Sequence, residues 1–253
     1  MQKSFFHKFP GHELIFALTD LFATTSLSRS GRGTGVGQQR DKPVRNTKIV
    51  DGLADRRLSA IPSNSMKILD VGCGANKFPG AIGLDYNEKT DADVIHDLGQ
   101  FPYPFPDNEF DMVVSFHVIE HVPDVMGFVT ELFRITKPGG KIRFVTPHYT
   151  NPDWASDPTH KNHFNSYSFD TFIPEKRNFK FYTDVNLKPV KRFAGLANLW
   201  KSLGIEWLVN LDHRRPGMRF IRQFWEHYLC TIMRGKEMDF EFEVIKDKAA
   251  ANS

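Results

Sequence analysis

The chain has 253 residues, 40% apolar and 25% charged, a composition that excludes a fibrous or low-complexity protein and suits one sizeable core with a tail. Its formal charge of +3 is uneven: residues 1–60 carry ten Lys and Arg against five Asp and Glu, leaving −2 for the rest, which speaks against a nucleic-acid footprint spread over that body. No run nears the ~18 consecutive apolar residues of a membrane span, and two cysteines, Cys73 and Cys230, make no disulfide framework, so a cytoplasmic protein, soluble or at most peripheral, is expected.

Residues 1–60 read as a disordered basic extension ahead of a domain over 61–253. The apolar run 14–23 suits a short amphipathic helix, but Asp20 interrupts it and no small-residue cleavage site succeeds it, so a secretory signal fits poorly. The alternating Gly31, Gly33, Gly35 and Gly37 have no strand before them and no helix after, and read as linker rather than phosphate loop. An organellar transit segment ranks behind that reading. Met66, directly ahead of the first core strand, is a candidate natural start.

The stretch 66–85, MKILDVGCGANKFPGAIGLD, organises the rest of the chain. A short apolar strand over 67–71 carries Asp70 near its end and breaks into Gly72-Cys73-Gly74; a second, over 81–85, ends on Asp85. Glycines after a buried strand let the backbone approach a ligand closely, and an acid closing the next strand offers two oxygens to a ribose diol. A dinucleotide fingerprint would need a glycine at Lys77 and an acid ~20 residues beyond the turn, whereas Asp85 lies eleven positions after Gly74. That disfavours NAD and predicts a shortened or missing crossover helix, with Pro79-Gly80 as breaker.

Further strands are expected over 92–96, 110–116 and 141–146, and an amphipathic helix over 124–136 that starts at Pro123-Asp124 and stops at Lys137-Pro138-Gly139-Gly140. Between the third and fourth strands, FPYPFP (101–106) can neither pair centrally nor propagate a helix, so it is expected to wrap the surface near the strand ends. Strand and helix patterns alternate, the mark of a parallel sheet with crossovers.

The segments LDVGCG, GLD, HDL, FPDNEFDMVVSFHVIEHV and KPGGKIRFVTPH, in this order, resemble the class I S-adenosylmethionine-dependent methyltransferases, in the small bacterial-type group related to the ubiquinone and menaquinone methyltransferases. The likeness is close over 66–151 and loose beyond. It implies an α/β, Rossmann-like doubly wound sheet, mostly parallel with an antiparallel last strand, and S-adenosylmethionine as cofactor. By resemblance Gly72 and Gly74 shape the loop under the cofactor, Asp70 orients that loop or meets the amino group, and Asp85 accepts the ribose hydroxyls. Asp97 and the Leu98 backbone would meet adenine, and Ser115 to His117 would border the methionine end.

His117-Val118-Ile119-Glu120-His121 also spells H-x-x-E-H, which on a helix pairs two imidazoles on zinc. Pro123 and the strand-exit context argue against that peptidase, and no metal is expected there. The segment 147–169 gathers His148, Asp157, His160 and His163 among aromatic residues after a strand end and reads as the acceptor-side wall. His117, His148 and His160 are the candidate proton acceptors, while a metal on Asp157, His160 and His163 ranks below ordinary hydrogen bonding.

In the last third, strands are expected over 179–187 and 239–245. A stripe of Phe220, Ile221, Phe224, Trp225, Tyr228, Leu229, Ile232 and Met233 at helical spacing reads first as core; beside Arg214, Arg215, Arg219 and Arg222 it also suits peripheral membrane contact through 196–233. The expected activity is methyl transfer to a small-molecule, glycan or lipid-linked acceptor, with no nucleic-acid partner and the oligomeric state open. A noncatalytic methyltransferase-like binding module is the alternative.

Overall fold

The short apolar runs become strands: β1 Ile68–Val71, β2 Ile82–Asp85, β3 Val94–Ile95, β4 Phe110–Phe116, β5 Thr136–Pro147, β6 Leu187–Leu196 and β7 Gly235–Val244. These come from a computed structural model that describes residues 66–177 and 180–246, all within one unit, Asp55–Ser253. The readings made for residues 1–60, and Met66 as a start after them, concern a segment outside the described residues. The strands pair in the order β3-β2-β1-β4-β5-β7-β6. The first five are parallel, and β7 is antiparallel to both β5 and β6, so the antiparallel closing strand is as expected.

The central strands are buried because they carry apolar residues on both faces: Leu69, Val71, Leu84, Val113 and Val114 are sealed from solvent. Helix α1, Val125–Ile135, packs Phe128, Val129, Leu132 and Ile135 onto the sheet. Its start is where the sequence placed it: the Asp124 side chain accepts a hydrogen bond from Gly127 N at 2.9 Å, satisfying one of the free N–H groups of the first turn.

The expected alternation of strands and helices is corrected. Among the described residues the connections β1–β2, β2–β3 and β3–β4 hold no helix, and α1 is the sole crossover helix between parallel strands. The Pro-rich loop 101–106 does not stay at the strand ends either. Tyr103 is buried, its N–H donates to Glu131 Oε2 at 2.8 Å and its hydroxyl to the Leu98 carbonyl at 3.0 Å. Arg134 of α1 holds the carbonyls of Phe105 at 2.9 Å and Tyr103 at 3.1 Å, so prolines that cannot build a helix are pinned to one.

Three boundaries also move. Strand β5 begins at Thr136, not 141; residues 137–140 bulge out between the pairs Phe110 with Thr136 and Met112 with Lys141, and Gly139 takes a positive φ of 74° there. The strand expected over 179–187 is replaced by a 3₁₀ turn at Lys180–Tyr182, residue 179 lying outside the described residues, and β6 starts at Leu187. Its Pro189 is tolerated because β6 is the sheet edge. The strand expected over 239–245 is found as β7, extended back to Gly235.

Candidate functional site

Each strand carboxyl end in the first half of the sheet carries a polar group fixed by a neighbouring loop. Gly72 and Gly74 both take left-handed backbone, φ +73° and +56°, which side chains rarely adopt. A Cβ on Gly72 would lie 2.3 Å from Val118 Cγ2, so the turn depends on glycine to close against the β4 exit. At Gly74 a Cβ would meet nothing within 4 Å, and the turn faces open space.

Asp85 is nearly buried, and both its oxygens are aimed: Oδ2 accepts from Gly74 N at 3.0 Å and Oδ1 from Asn87 N at 3.0 Å. An ionised carboxylate has about four acceptor positions, so two remain for a vicinal diol. Asp70 Oδ2 accepts from Phe78 N at 2.8 Å, which ties the far end of the loop to β1. Burial raises the Asp70 carboxyl to about 6; the Asp85 charge adds to this, while the Phe78 N–H and Lys77 oppose it. Burial, with help from both acids, also pushes the Cys73 thiol up to about 11.

Asp97 Oδ1 accepts from Gly99 N at 2.9 Å, an Asx turn that leaves its second oxygen outward; the Leu98 carbonyl is taken by Tyr103. Ser115 at the end of β4 is buried, and its hydroxyl has no hydrogen-bond partner among the described residues. Left-handed glycines opening on empty space, an oriented diol acceptor and an orphaned buried hydroxyl fit an adenosine and amino-acid ligand such as S-adenosylmethionine.

The histidines divide. His117 sits in left-handed backbone, φ 56°, directly after β4, with its N–H bonded to the Val145 carbonyl at 2.8 Å and its side chain 53% exposed. Its Nδ1 lies 3.4 Å from Glu120 Oε1, and that carboxylate raises the imidazole's pKa. Residues 117–121 form a turn, not a helix, so the H-x-x-E-H helix of a zinc peptidase is absent.

His148 is corrected as a proton acceptor. It is 0% exposed, with Nε2 2.9 Å from Glu226 Oε1 and Nδ1 2.7 Å from Thr150 Oγ1. Both ring nitrogens are committed within the core, where the imidazole packs beside Trp225, ring centroids 5.2 Å apart. Burial pushes the Glu226 carboxyl up, but hydrogen bonds from His148 and Ser166 outweigh it and hold it below the usual range.

His160 is half-buried, Nδ1 bonded to the Trp154 carbonyl at 2.8 Å. His163 instead stacks on Trp154, ring centroids 3.7 Å apart, so the Asp157, His160, His163 grouping does not assemble. Instead the 157–163 loop is sewn to the turn after β4. Lys161 N and Asn162 N donate to the Glu120 carbonyl at 2.7 and 3.0 Å, and Asn162 Nδ2 donates to the carbonyls of Val122 at 2.8 Å and Ile119 at 3.2 Å. This brings His160 beside His121, centroids 4.6 Å apart. Sequence reasoning missed Glu226, and it named Glu120 only within H-x-x-E-H without its meeting with His160, since neither carboxylate announces that partner by spacing.

Residues 69–144 match the methyltransferase domain family. Over 100 residues the chain is 37% identical to a probable S-adenosylmethionine-dependent methyltransferase of Mycolicibacterium smegmatis, covering 32% of this chain and 38% of that protein. It is 26% identical over 178 residues to a demethylmenaquinone methyltransferase of Listeria monocytogenes, covering 58% and 72%. With a sterol 24-C-methyltransferase of Yarrowia lipolytica it shares 32% identity over 120 residues, covering 38% and 32%. The chain thus spans well under two thirds of the length of most of these relatives. Among solved structures, an S-adenosylmethionine-dependent methyltransferase from Archaeoglobus fulgidus superposes with a TM-score of 0.44 at 19% identity, covering 72% of this chain and 87% of that one. The domain match over residues 69–144, the 3-2-1-4-5-7-6 strand order and the glycine turn make this chain similar to the class I S-adenosylmethionine-dependent methyltransferases.

Proposed function

We propose that this chain transfers a methyl group from S-adenosylmethionine to a small-molecule, glycan or lipid-linked acceptor. The observation that carries the reading is Asp85, oriented by Gly74 and Asn87 at the mouth of the open glycine turn. The donor, when bound, supplies a methyl already activated by its sulfonium. The chain's own work is then alignment: Gly72 and Gly74 let the backbone close on the ligand, Asp85 holds the ribose and Asp97 the adenine edge, and Asp70 offers charge to an ammonium. His117 is the candidate histidine exposed at the β4 exit, where a hydroxyl acceptor would give up its proton. Calorimetry with S-adenosylhomocysteine tests the donor half: binding to the wild type and about 100-fold weaker binding to Asp85→Ala is expected, and no binding to the wild type overturns the reading. Binding without labelled-methyl transfer to any of a broad acceptor panel would turn it into a binding module.

One observation favours an acceptor presented at a membrane. The stripe read as core is split: Trp225 is buried and Leu229 and Met233 pack against the core, but in α4, Arg219–Phe224, and the π turn Trp225–Leu229, Arg222 and Glu226 are buried too, while Phe220, Phe224 and Tyr228 are 61%, 54% and 69% exposed. Arg222 is drawn in by Asp212, at 2.6 and 3.0 Å, and by Asn210 at 3.0 Å. Leu203 and Trp207, on and beside the short helices Asn198–Ser202 (α2) and Ile205–Val209 (α3), are exposed too. Over 198–236 Lys201, Arg214, Arg215, Arg219, Arg234 and Lys236 are exposed, whereas Glu206, Asp212 and Glu226 bond inward, to Leu196 N, Arg222 and His148. Exposed aromatics within a cation-only surface suit an anionic lipid headgroup layer. No helix among the described residues is long and apolar enough to cross a membrane, so the contact would be interfacial. Co-sedimentation with vesicles containing phosphatidylglycerol, but not with pure phosphatidylcholine, is expected; equal absence from both would refute it.

A further inference from the structure

The turn after β4 and the 157–163 loop bring three potential metal ligands together. One ligating atom each from Glu120, His121 and His160 lies within 4.8 Å of the other two. Glu120 is 0% exposed; its Oε2 accepts from Thr146 Oγ1 at 3.0 Å, but Oε1 has no hydrogen-bond partner among the described residues, His117 standing 3.4 Å away outside hydrogen-bond geometry. The half-exposed His117 imidazole is the cationic partner of this oxygen, at ion-pair distance rather than in a hydrogen bond, so Oε1 keeps its acceptor capacity for a ligand.

The two imidazoles are wired so as to present lone pairs. Thr159 Oγ1 gives its only proton to Asp157 Oδ1 at 2.6 Å, so at 2.9 Å from His121 Nδ1 it can only accept, and the ring proton must lie on Nδ1. The Trp154 carbonyl at 2.8 Å likewise requires the proton of His160 on Nδ1. In the neutral rings both Nε2 atoms are then bare. Fixing one ring nitrogen by a carbonyl or hydroxyl while the other stays free is the arrangement that surrounds metal-bound histidines.

We propose that Glu120, His121 and His160 form a binding site for a divalent transition-metal ion of the zinc and cobalt class, for which two imidazoles and a carboxylate are fitting ligands. With three protein ligands, a four-coordinate ion keeps one position for water or for an oxygen of the acceptor. The ion would also clamp the 157–163 loop to the β4 exit, where backbone hydrogen bonds already join them. The site goes beyond the methyl-transfer reading and is measured without it.

The test is titration of chelator-treated full-length protein with Co(II), monitored by visible absorption, with Zn(II) as competitor. One equivalent bound, displaced by zinc, is expected. Affinity should fall at least about tenfold in Thr159→Ala, which loses the outer hydrogen bond, be lost in the His121→Ala, His160→Ala pair, and be unchanged in His163→Ala. Absence of stoichiometric binding, or binding that survives in the double variant, overturns the proposal. S-adenosylhomocysteine binding and thermal melting in the same variants report folding, and Asp85→Ala, which removes the donor site, should bind Co(II) as the wild type does.

Discussion

Along β1 to β3 the polar groups at strand ends are held by backbone N–H donors from short loops: Asp70 by Phe78, Asp85 by Gly74 and Asn87, Asp97 by Gly99. Beyond β4 they are held by side chains from distant elements, as His148 is by Glu226, 78 positions away. The first half orients its carboxylates by chain geometry, and little but glycine and aspartate is needed. The second does so through buried networks, and each member depends on the others being present.

That difference is exposed most strongly by removing one buried partner. Glu226 accepts from His148 at 2.9 Å and from Ser166 N at 3.3 Å, all of it out of water. Glu226→Ala strands both donors and should cost about 3–5 kcal/mol of folding stability in denaturant melts, whereas S-adenosylhomocysteine affinity of the folded fraction should not change. A loss of affinity at retained stability would show that the two halves are coupled.

Asp70 gives an effect of opposite sign in the first half. Its carboxyl is raised by burial to about 6, against about 3.9 for an exposed aspartate. A raised folded value means the ionised form is penalised: the penalty is full above about pH 6, shrinks as pH falls, and is gone below about 4. At two units of pH this is up to about 3 kcal/mol. The charged neighbours are Asp85, which opposes ionisation, and Lys77, which favours it; the Cys73 thiol, itself pushed up, stays neutral over this range. Asp70→Asn should therefore raise the melting temperature at pH 7.5 and abolish the gain otherwise seen on acidification from 6 to 4, while weakening S-adenosylhomocysteine. Parallel pH profiles for the two proteins would refute it. Asp85→Ala comes next in size: losing two hydrogen bonds to a charged acceptor should weaken S-adenosylhomocysteine about 100-fold by calorimetry, with Co(II) binding intact.

The same division decides what the sequence could disclose. The geometry of the first strand ends was legible because its determinants are local: a strand ending in a glycine turn, an acid closing the next strand, Asp124 three residues before the N–H it caps. What was not legible is long-range. The alternation over 179–187 looks like a strand, but pairing with β7 starts only at Leu187, and an edge position lets Pro189 stay. Helical spacing disclosed the stripe around Phe224 but not which side faces inward; that was settled by Asp212 and Asn210 drawing Arg222 into the core. H-x-x-E-H was misleading as a helix motif because His117 leaves β4 in left-handed backbone, and its Glu and second His meet His160 only after the chain has crossed β5.

The smallest effect concerns the outward face of the second half, where no network among the described residues holds the side chains. Arg219 is exposed at the first position of α4, next to the exposed Phe220, and has no acidic partner among the described residues of that surface. A cation near an anionic bilayer contributes about 1 kcal/mol, so Arg219→Gln should lower partitioning onto phosphatidylglycerol vesicles roughly fivefold at low salt. That loss should fade as salt screens the surface, since the Debye length drops to about 8 Å at physiological ionic strength. Phe224→Ser removes apolar contact instead, so its loss should persist at high salt. Neither change reaches the strand ends, so S-adenosylhomocysteine affinity should match the wild type in both. If Arg219→Gln alters donor affinity but not vesicle binding, the cationic face belongs to the site rather than to a membrane.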